Sequence, residues 1–402
     1  MRHHSHLNTA KSIIASYTGA EPLSAFLKKF FAADKKYGSK DRKQIGALCY
    51  NYYRLGKAAR DIPVEERILL ATFLCERSLN DFLAFHKPDW NDKITVTVPE
   101  KLLIINYQLL INNIFPYATE LNTGIDHEQF AVSFLQQPQL FLRIRPGKTD
   151  IVKKKLADAG IVFEMQGDDR LALPNSSKID MILKIDEEVV IQDASSQKVL
   201  DFLKDPVTCP QPLPPSPTVG QSTKYSASVW DCCAASGGKS ILAYDILQGN
   251  IQLTVSDIRE SILANLKKRF IAAGIKGYHS LITDLSLEQP STFNLQSSII
   301  ICDAPCTGSG TWSRTPEQLY FFKSSAITEF AALQKQIVSN AIPHLEKGGL
   351  FFYITCSVFK EENEAIVDFI KEKFPVQLQS MECLRGYEDR ADSMFVAVFT
   401  KE

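Results

Sequence analysis

The sequence has almost no net charge: 45 Lys and Arg stand against 46 Asp and Glu, leaving −1 over 402 residues. It has no apolar run near the roughly 18 residues that a membrane-crossing helix needs. Its opening, MRHHSHLNTAKS, shows no charged-then-apolar signal pattern. Its nine cysteines, an odd number, form no secreted disulfide framework. These absences point to a chain in a reducing cytoplasm, off the membrane, with some thiols free for chemistry. Hydrophobic residues at 45% and charged residues at 23% exclude a disordered, collagen-like or coiled-coil chain. There is no internal repeat, and the length allows two or three domains.

The charge is unevenly spread. Residues 1–60 hold twelve Lys and Arg against three acids, a net +9, so the remainder sums to −10. A basic end on an otherwise acidic chain suits either a polyanion-binding module or a solvated helical face.

Residues 7–134 have helical periodicity, in LSAFLKKFFAA, RKQIGALCYNYYRLGKAAR and EERILLATFLCERSL. Ser39 or Asp41 is the expected N-cap of the second of these. Residues 137–190 change to a small α+β pattern: QLFLRIRP as a strand, TDIVKKKLADAG as a helix closed by Gly160, then IVFEMQ and LALP as short strands. The stretch 204–228 carries six prolines and no helical period, and is expected to be a loop. From residue 229, β-branched or aromatic runs (SVWDCC, IQLTVSD, HSLITD, SSIIICDAPC, GLFFYITCS and the terminal SMFVAVFTK) alternate with helical stretches. That rhythm predicts a parallel, doubly wound α/β sheet whose ligands bind at the carboxyl ends of the strands. Those ends carry Asp231, Asp257, Asp284, Asp303 and Cys356.

The first of these turns is DCCAASGGKS, 231–240. Its small residues and paired glycines allow a ligand close to the backbone at a helix N-terminus. A Walker loop would need glycine where Cys233 stands, and no G-x-G-x-x-G occurs, so neither phosphate-loop reading holds. Asp257, about twenty residues on, suits a ribose diol. Asp284 could meet an adenine edge. Cys306 in CDAPCTGSG and Cys356 in YITCSVFKEENE both lie at the carboxyl edge. No C-x₂₋₄-C pair has a matching second pair, so no metal site is expected. Two thiols beside a nucleoside-type ligand suit covalent chemistry on an electron-poor ring: a thiolate adds at C6 of cytosine, and C5 becomes nucleophilic enough to take a methyl group.

DCCAASGGKS, DAPCTGSG and YITCSVFKEENE resemble the S-adenosylmethionine-binding and double-cysteine motifs of the RNA cytosine-5 methyltransferases of the Sun/Fmu type. YGSKDRKQIGALCYNYYRL, 37–55, is similar to the NusB-like N-terminal domain of the bacterial small-subunit rRNA members. QPQLFLRIRP and VVIQDASSQKV resemble the segments that precede their catalytic domain. The resemblance implies a Rossmann-like methyltransferase domain over 189–402, with 204–228 as a Pro-rich loop. Before it would come an all-α RNA-binding domain over 1–134 and a small α+β subdomain over 135–188. It implies Cys356 as nucleophile, Cys306 as the residue assisting release, Asp303 on the cytosine's polar edge, and Lys239 reaching toward the reacting groups. For the cofactor, S-adenosylmethionine, it implies the turn Cys233, Ala234, Ala235, Ser236, Gly237, Gly238 and Lys239, with Asp257, Arg259, Asp284 and Asp303. The partner would be RNA, rRNA or tRNA, and the protein a monomer without metal.

Two positions depart from the family pattern. Ser236 stands where the family has proline, and Arg143-Ile144-Arg145 stands where it has Arg-x-Asn. Two other functions keep the fold: a catalytically silent RNA-binding or ribosome-assembly factor, and a DNA cytosine-5 methyltransferase whose nucleophile would be the Pro-Cys thiol.

Overall fold

The computed structural model of the chain describes residues 2–34, 36–105, 111–204, 227–287 and 295–402. Nearly all of the Pro-rich 204–228 stretch lies outside them. The chain divides into two units: Met1–Leu121 with Ile125–Gln137 and Thr311–Lys323, and Asn122–Gly124 with Pro138–Gly310 and Ser324–Glu402.

The first unit is helical. Its main helices span Arg2–Ser16, Leu23–Ala33, Ser39–Arg54 and Val64–Cys75. In Ser39–Arg54 the buried Ile45, Leu48, Cys49, Tyr52 and Tyr53 recur at three-and-four spacing, which turns one face inward. The N-cap of this helix is Gly38, not Ser39 or Asp41. Asp41 sits one turn in, and its carboxylate reaches back to accept from the Gly38 N–H at 3.2 Å. The segment Thr311–Lys323 belongs to this unit although it follows the Pro-Cys motif in sequence. Glu317 accepts from the Leu23 N–H at 3.0 Å, and Leu319 and Trp312 are buried.

Buried cations close the helix ends, where the last carbonyls have no partner within the helix. Arg67, 1% exposed, donates to Tyr52 O, Gly56 O and Ala58 O. Lys101 donates to Phe73 O at 2.8 Å and Glu76 O at 2.6 Å.

The second unit contains two sheets. A small antiparallel one has the order β2 (Glu164–Met165), β3 (Arg170–Leu173), β1 (Leu140–Ile144), β4 (Val189–Ile191). The helix Thr149–Asp158 covers it and ends just before Gly160, at φ +66°. The large sheet comprises β5 (Ala227–Asp231), β6 (Ile251–Asp257), β7 (His279–Ile282), β8 (Ser297–Asp303), β9 (Leu345–Thr355), β10 (Val376–Leu384) and β11 (Met394–Lys401). Their order is β10-β11-β9-β8-β5-β6-β7. β5 to β9 pair in parallel, and β11 is antiparallel to both its neighbours. All five residues of β5 are buried, as expected of a central strand covered on both faces. The order reverses between β5 and β8, the switch point at which such sheets bind ligands. The Rossmann-like α/β class is therefore as the sequence predicts. The sheet has one strand beyond those expected, β10, an edge strand whose sequence VQLQSMECL largely alternates between more buried and exposed positions.

Arg143 and Arg145 explain how the small sheet is anchored. Arg143 is on β1 and Arg145 follows its last residue, two positions on, and both side chains turn to the same partner. Both reach Asp245 on the helix Gly238–Ile246: Arg143 Nη1 at 2.6 Å and Arg145 Nη2 at 2.6 Å. Arg145 also donates to Asp186 O and Ala273 O. The cation that departs from the family pattern is thus an internal clamp. All three side chains are nearly buried, so removing the shared carboxylate leaves two uncompensated charges. Asp245→Ala should cost about 3–5 kcal/mol of stability, read by urea denaturation of the full chain. Stability equal to wild type would show that the clamp contributes nothing.

Candidate active site

The turn after β5 is held by backbone bonds on both sides. Cys232 N–H donates to Ile301 O of β8, and Ala234 N–H to Ser256 O of β6, both at 2.9 Å. Ala235 takes φ +46° and Gly237 φ +83°, and the helix Gly238–Ile246 starts immediately after. A Cβ on Gly237 would meet the Phe270 ring at 2.7 Å, so the turn needs glycine there. Ser236 is tied down by Arg269, which donates to its O and Oγ at 3.1 Å. A hydrogen bond therefore fixes the turn where the family uses a proline ring.

The predicted residues fall into two groups. Cys233, Ala235, Asp257, Arg259, Asp284 and Asp303 line a cavity of about 480 Å³ at the carboxyl ends of β5, β6, β7 and β8. Ala234, Ser236, Gly237, Gly238 and Lys239 shape the turn behind it and are not among its lining residues. Asp257, 7% exposed, accepts from Ala235 N–H at 3.0 Å, and its other oxygen accepts from Arg259. Asp284 lies two residues past β7 and accepts from Ser286 N–H and Oγ. Ile258, Leu285, Leu333 and Ile337 supply apolar walls that motif reading had no means to find, because they carry no chemistry. A cavity of this size, apolar on its walls and edged by three carboxylates, suits a nucleoside with hydroxyl and amino donors. The donor set fits the adenosyl group of S-adenosylmethionine.

Lys239 points from the first turn of its helix to Asp303, with Nζ to Oδ2 at 2.5 Å. Burial disfavours its charge, but the Asp303 carboxylate outweighs that and holds the ammonium above its ordinary value. Beyond this pair lie the two thiols. Cys306 Sγ and Cys356 Sγ are 3.4 Å apart, and both are free. The hydrogen bond to Cys356, and then burial, push the Cys306 thiol well above its usual range, so it keeps its proton at neutral pH.

Glu362, fully buried, gathers both thiol-bearing loops. Its carboxylate accepts from Thr307 N–H at 2.9 Å, Thr307 Oγ1 at 2.6 Å, Ser357 Oγ at 2.6 Å and Gln334 Nε2 at 3.1 Å. Burial pushes its carboxyl up, and these donors pull the other way. Gly310 completes the lock: its N–H donates to Cys356 O at 2.8 Å, and it accepts from Ser393 N–H at 2.9 Å. A Cβ on Gly310 would strike Ser393 O. Sequence reading missed Glu362 because it sits between Glu361 and Asn363 in a charged run that looks solvated.

The basic first 60 residues are less free than their count suggests. Arg54, 2% exposed, donates to Phe134 O, Gln136 O and Ser313 O. Lys57 donates to Tyr320 O and Phe322 O. Arg2, Lys11, Lys29 and Lys36 pair with Asp41, Glu65, Glu21 and Asp34. No described helix is long and apolar enough to cross a membrane.

The pattern of the 16S rRNA methyltransferase RsmB/F family matches residues 222–396. The probable ribosomal RNA small subunit methyltransferase B of Bacillus subtilis is 30% identical over 186 residues, 46% of this chain and 38% of that relative. The chain spans 36–55% of the length of the curated relatives it matches. Among solved structures, PH0851 gives a TM-score of 0.68 at 17% identity and covers 95% of each chain. NSun6 from Pyrococcus horikoshii, solved with SFG, gives 0.57 at 14% identity, covering 68% of this chain and 95% of that one. At these identities the two structures show the fold alone.

Asp231, at the end of β5, is fully buried; its Oδ2 accepts from Ser240 at 2.6 Å, and its Oδ1 has no partner among the described residues. Burial raises its carboxyl from 3.8 to about 7. The folded chain then keeps a proton that the unfolded chain has released, so this group's contribution favours folding at low pH and fades as pH rises through about 7. Asp231→Asn should remove that slope from the pH dependence of stability between 3.8 and about 7. An unchanged slope in denaturation curves across the window would place the titration elsewhere.

Proposed function

We propose that the chain, whose residues 222–396 match the RsmB/F methyltransferase family, methylates carbon 5 of a cytosine in RNA, and that the RNA is ribosomal. The observation that carries this reading is the pair of free thiols 3.4 Å apart, beside the Lys239–Asp303 ion pair and at the switch point of the sheet. The cofactor, S-adenosylmethionine, supplies an electrophilic methyl group on a sulfonium when bound in the cavity lined by Asp257 and Asp284.

The chain's own residues would divide the work as follows. Cys356 adds as thiolate to C6 of the cytosine, which leaves C5 electron-rich. Asp303 accepts from the exocyclic amine, and Lys239, 2.5 Å away, orients that carboxylate. After methyl transfer, the C5 proton is lost to a base and the bond from Cys356 to C6 breaks. Cys306, whose thiol holds its proton beside Cys356, assists that release. The basic residues of the first 60 that are not consumed by internal pairs supply RNA backbone contacts. Two intact thiols argue against a silent assembly factor, and the Thr-Cys-Ser thiol argues against the DNA enzymes.

Asp257→Ala should weaken S-adenosylmethionine binding by about 1–3 kcal/mol in calorimetry, the scale of a lost buried hydrogen-bonding partner. Unchanged affinity would remove Asp257 from the cofactor site. The thiols separate by order of use. Cys356→Ala should abolish both turnover and covalent adducts with RNA. Cys306→Ala should permit addition and methyl transfer but stall at release, leaving RNA-linked protein that survives denaturant and is lost on nuclease treatment. A stalled adduct with Cys356→Ala instead would reverse the assignment. Full activity in both variants would sink the covalent mechanism.

A further inference from the structure

Three cysteines outside the proposed catalytic pair converge behind the cofactor cavity. Cys232 and Cys233 follow β5, and Cys302 lies near the end of the neighbouring β8. Their three Sγ atoms lie within 4.8 Å of one another. Three thiolates around one cation, with metal–sulfur bonds of about 2.3 Å, place their sulfurs roughly 4 Å apart. The side chains need no large movement to close on an ion.

The surroundings favour sulfur-seeking ions over hard ones. Cys232 and Cys302 are buried in the apolar cluster that holds Trp230, Leu285 and Ile300, where no oxygen ligand is part of the group. Cys233 also lines the cofactor cavity, which opens a path to the cluster from outside. The strand ends hold the cluster rigidly: Cys232 N–H is bonded to Ile301 O, and Cys232 O accepts from Ser256 Oγ at 3.0 Å.

We propose that Cys232, Cys233 and Cys302 form a three-sulfur binding site for a single thiophilic d10 cation, Cu(I) or Zn(II), at the back of the cofactor cavity. Each thiol that binds releases its proton to solvent, and no electron is transferred. The test of this proposal uses neither cofactor nor RNA, so its outcome is separate from that of the methyltransferase reading.

The test uses the full-length Cys306→Ser/Cys356→Ser variant, so that the catalytic pair cannot bind the ion. Reduced protein is titrated separately with Cu(I) and Zn(II) against a chromophoric chelator. Cd(II) serves as a third probe through its thiolate charge-transfer band. A single equivalent should be retained, with three sulfur neighbours at about 2.3 Å in X-ray absorption for the bound Cu(I) or Zn(II). Adding Cys302→Val, which suits a buried strand, or separately Cys232→Ala, should abolish it while circular dichroism stays unchanged. If either variant unfolds, the other carries the comparison. Should both unfold, loss of bound ion on blocking Cys233 in the folded double variant decides. Retention of no ion, or retention undiminished by these changes, overturns the proposal. So does a disulfide among the three thiols that forms in place of ion binding. Cu(I) retained without Zn(II), or the reverse, identifies the ion.

Discussion

The geometry of the two thiols depends on one buried carboxylate. Cys306 and Cys356 come from loops after different strands, and nothing in the sheet alone brings their sulfurs to 3.4 Å. Glu362 does so by accepting from Thr307, one residue past the first thiol, and from Ser357, one residue past the second. Gln334, on the helix Ser325–Ala341, donates both to Glu362 and to Pro305 O, which brings that helix into the same lock. Asn363 extends it, accepting from Thr355 Oγ1 and donating to Ser357 O. Stacked hydrogen bonds of this kind in a low-dielectric interior hold positions that single contacts cannot. A buried carboxylate without such donors would be costly, so the network is a condition of the residue being there at all.

The architecture was legible because its signals are local. Strand–turn–helix alternation from residue 229 is written in β-branched runs and helical periods, and it specified a parallel sheet. Positions at strand ends were legible for the same reason, since Asp257 and Asp303 close strands in which every preceding turn of the pattern is visible. What was not legible depends on chain segments far apart. Glu362 looks like a solvated acid until the fold buries it. Cys302 looks like a strand residue until β5 brings Cys232 and Cys233 beside it, and a spacing rule that searches along the chain cannot register such a group. Arg145 stands out in the sequence only as a cation where the family has an amide, and the fold shows that Asp245 takes it.

Charge counting fails in a similar way at the other end of the chain. The first 60 residues hold a large excess of Lys and Arg, yet Arg54 and Lys57 spend theirs on backbone carbonyls of their own unit. Guanidinium and ammonium groups are used here as helix-end partners, alongside Arg67 and Lys101 further on. The electrostatic surface left for a polyanion is set by the cations that remain, not by the total.

The assignment of Thr311–Lys323 to the helical unit bears on the timing of its birth on the ribosome. That unit begins at the chain's start, but Leu319, Trp312 and Glu317, which complete its interior, are translated long after Gln137. At about 5–20 residues per second, the gap between residue 137 and residue 323 amounts to roughly 10–40 s. Until then the apolar surface that these residues cover in the folded unit has no partner from them. Residues 1–137 are therefore made well before the segment 311–323 that completes the interior of their unit.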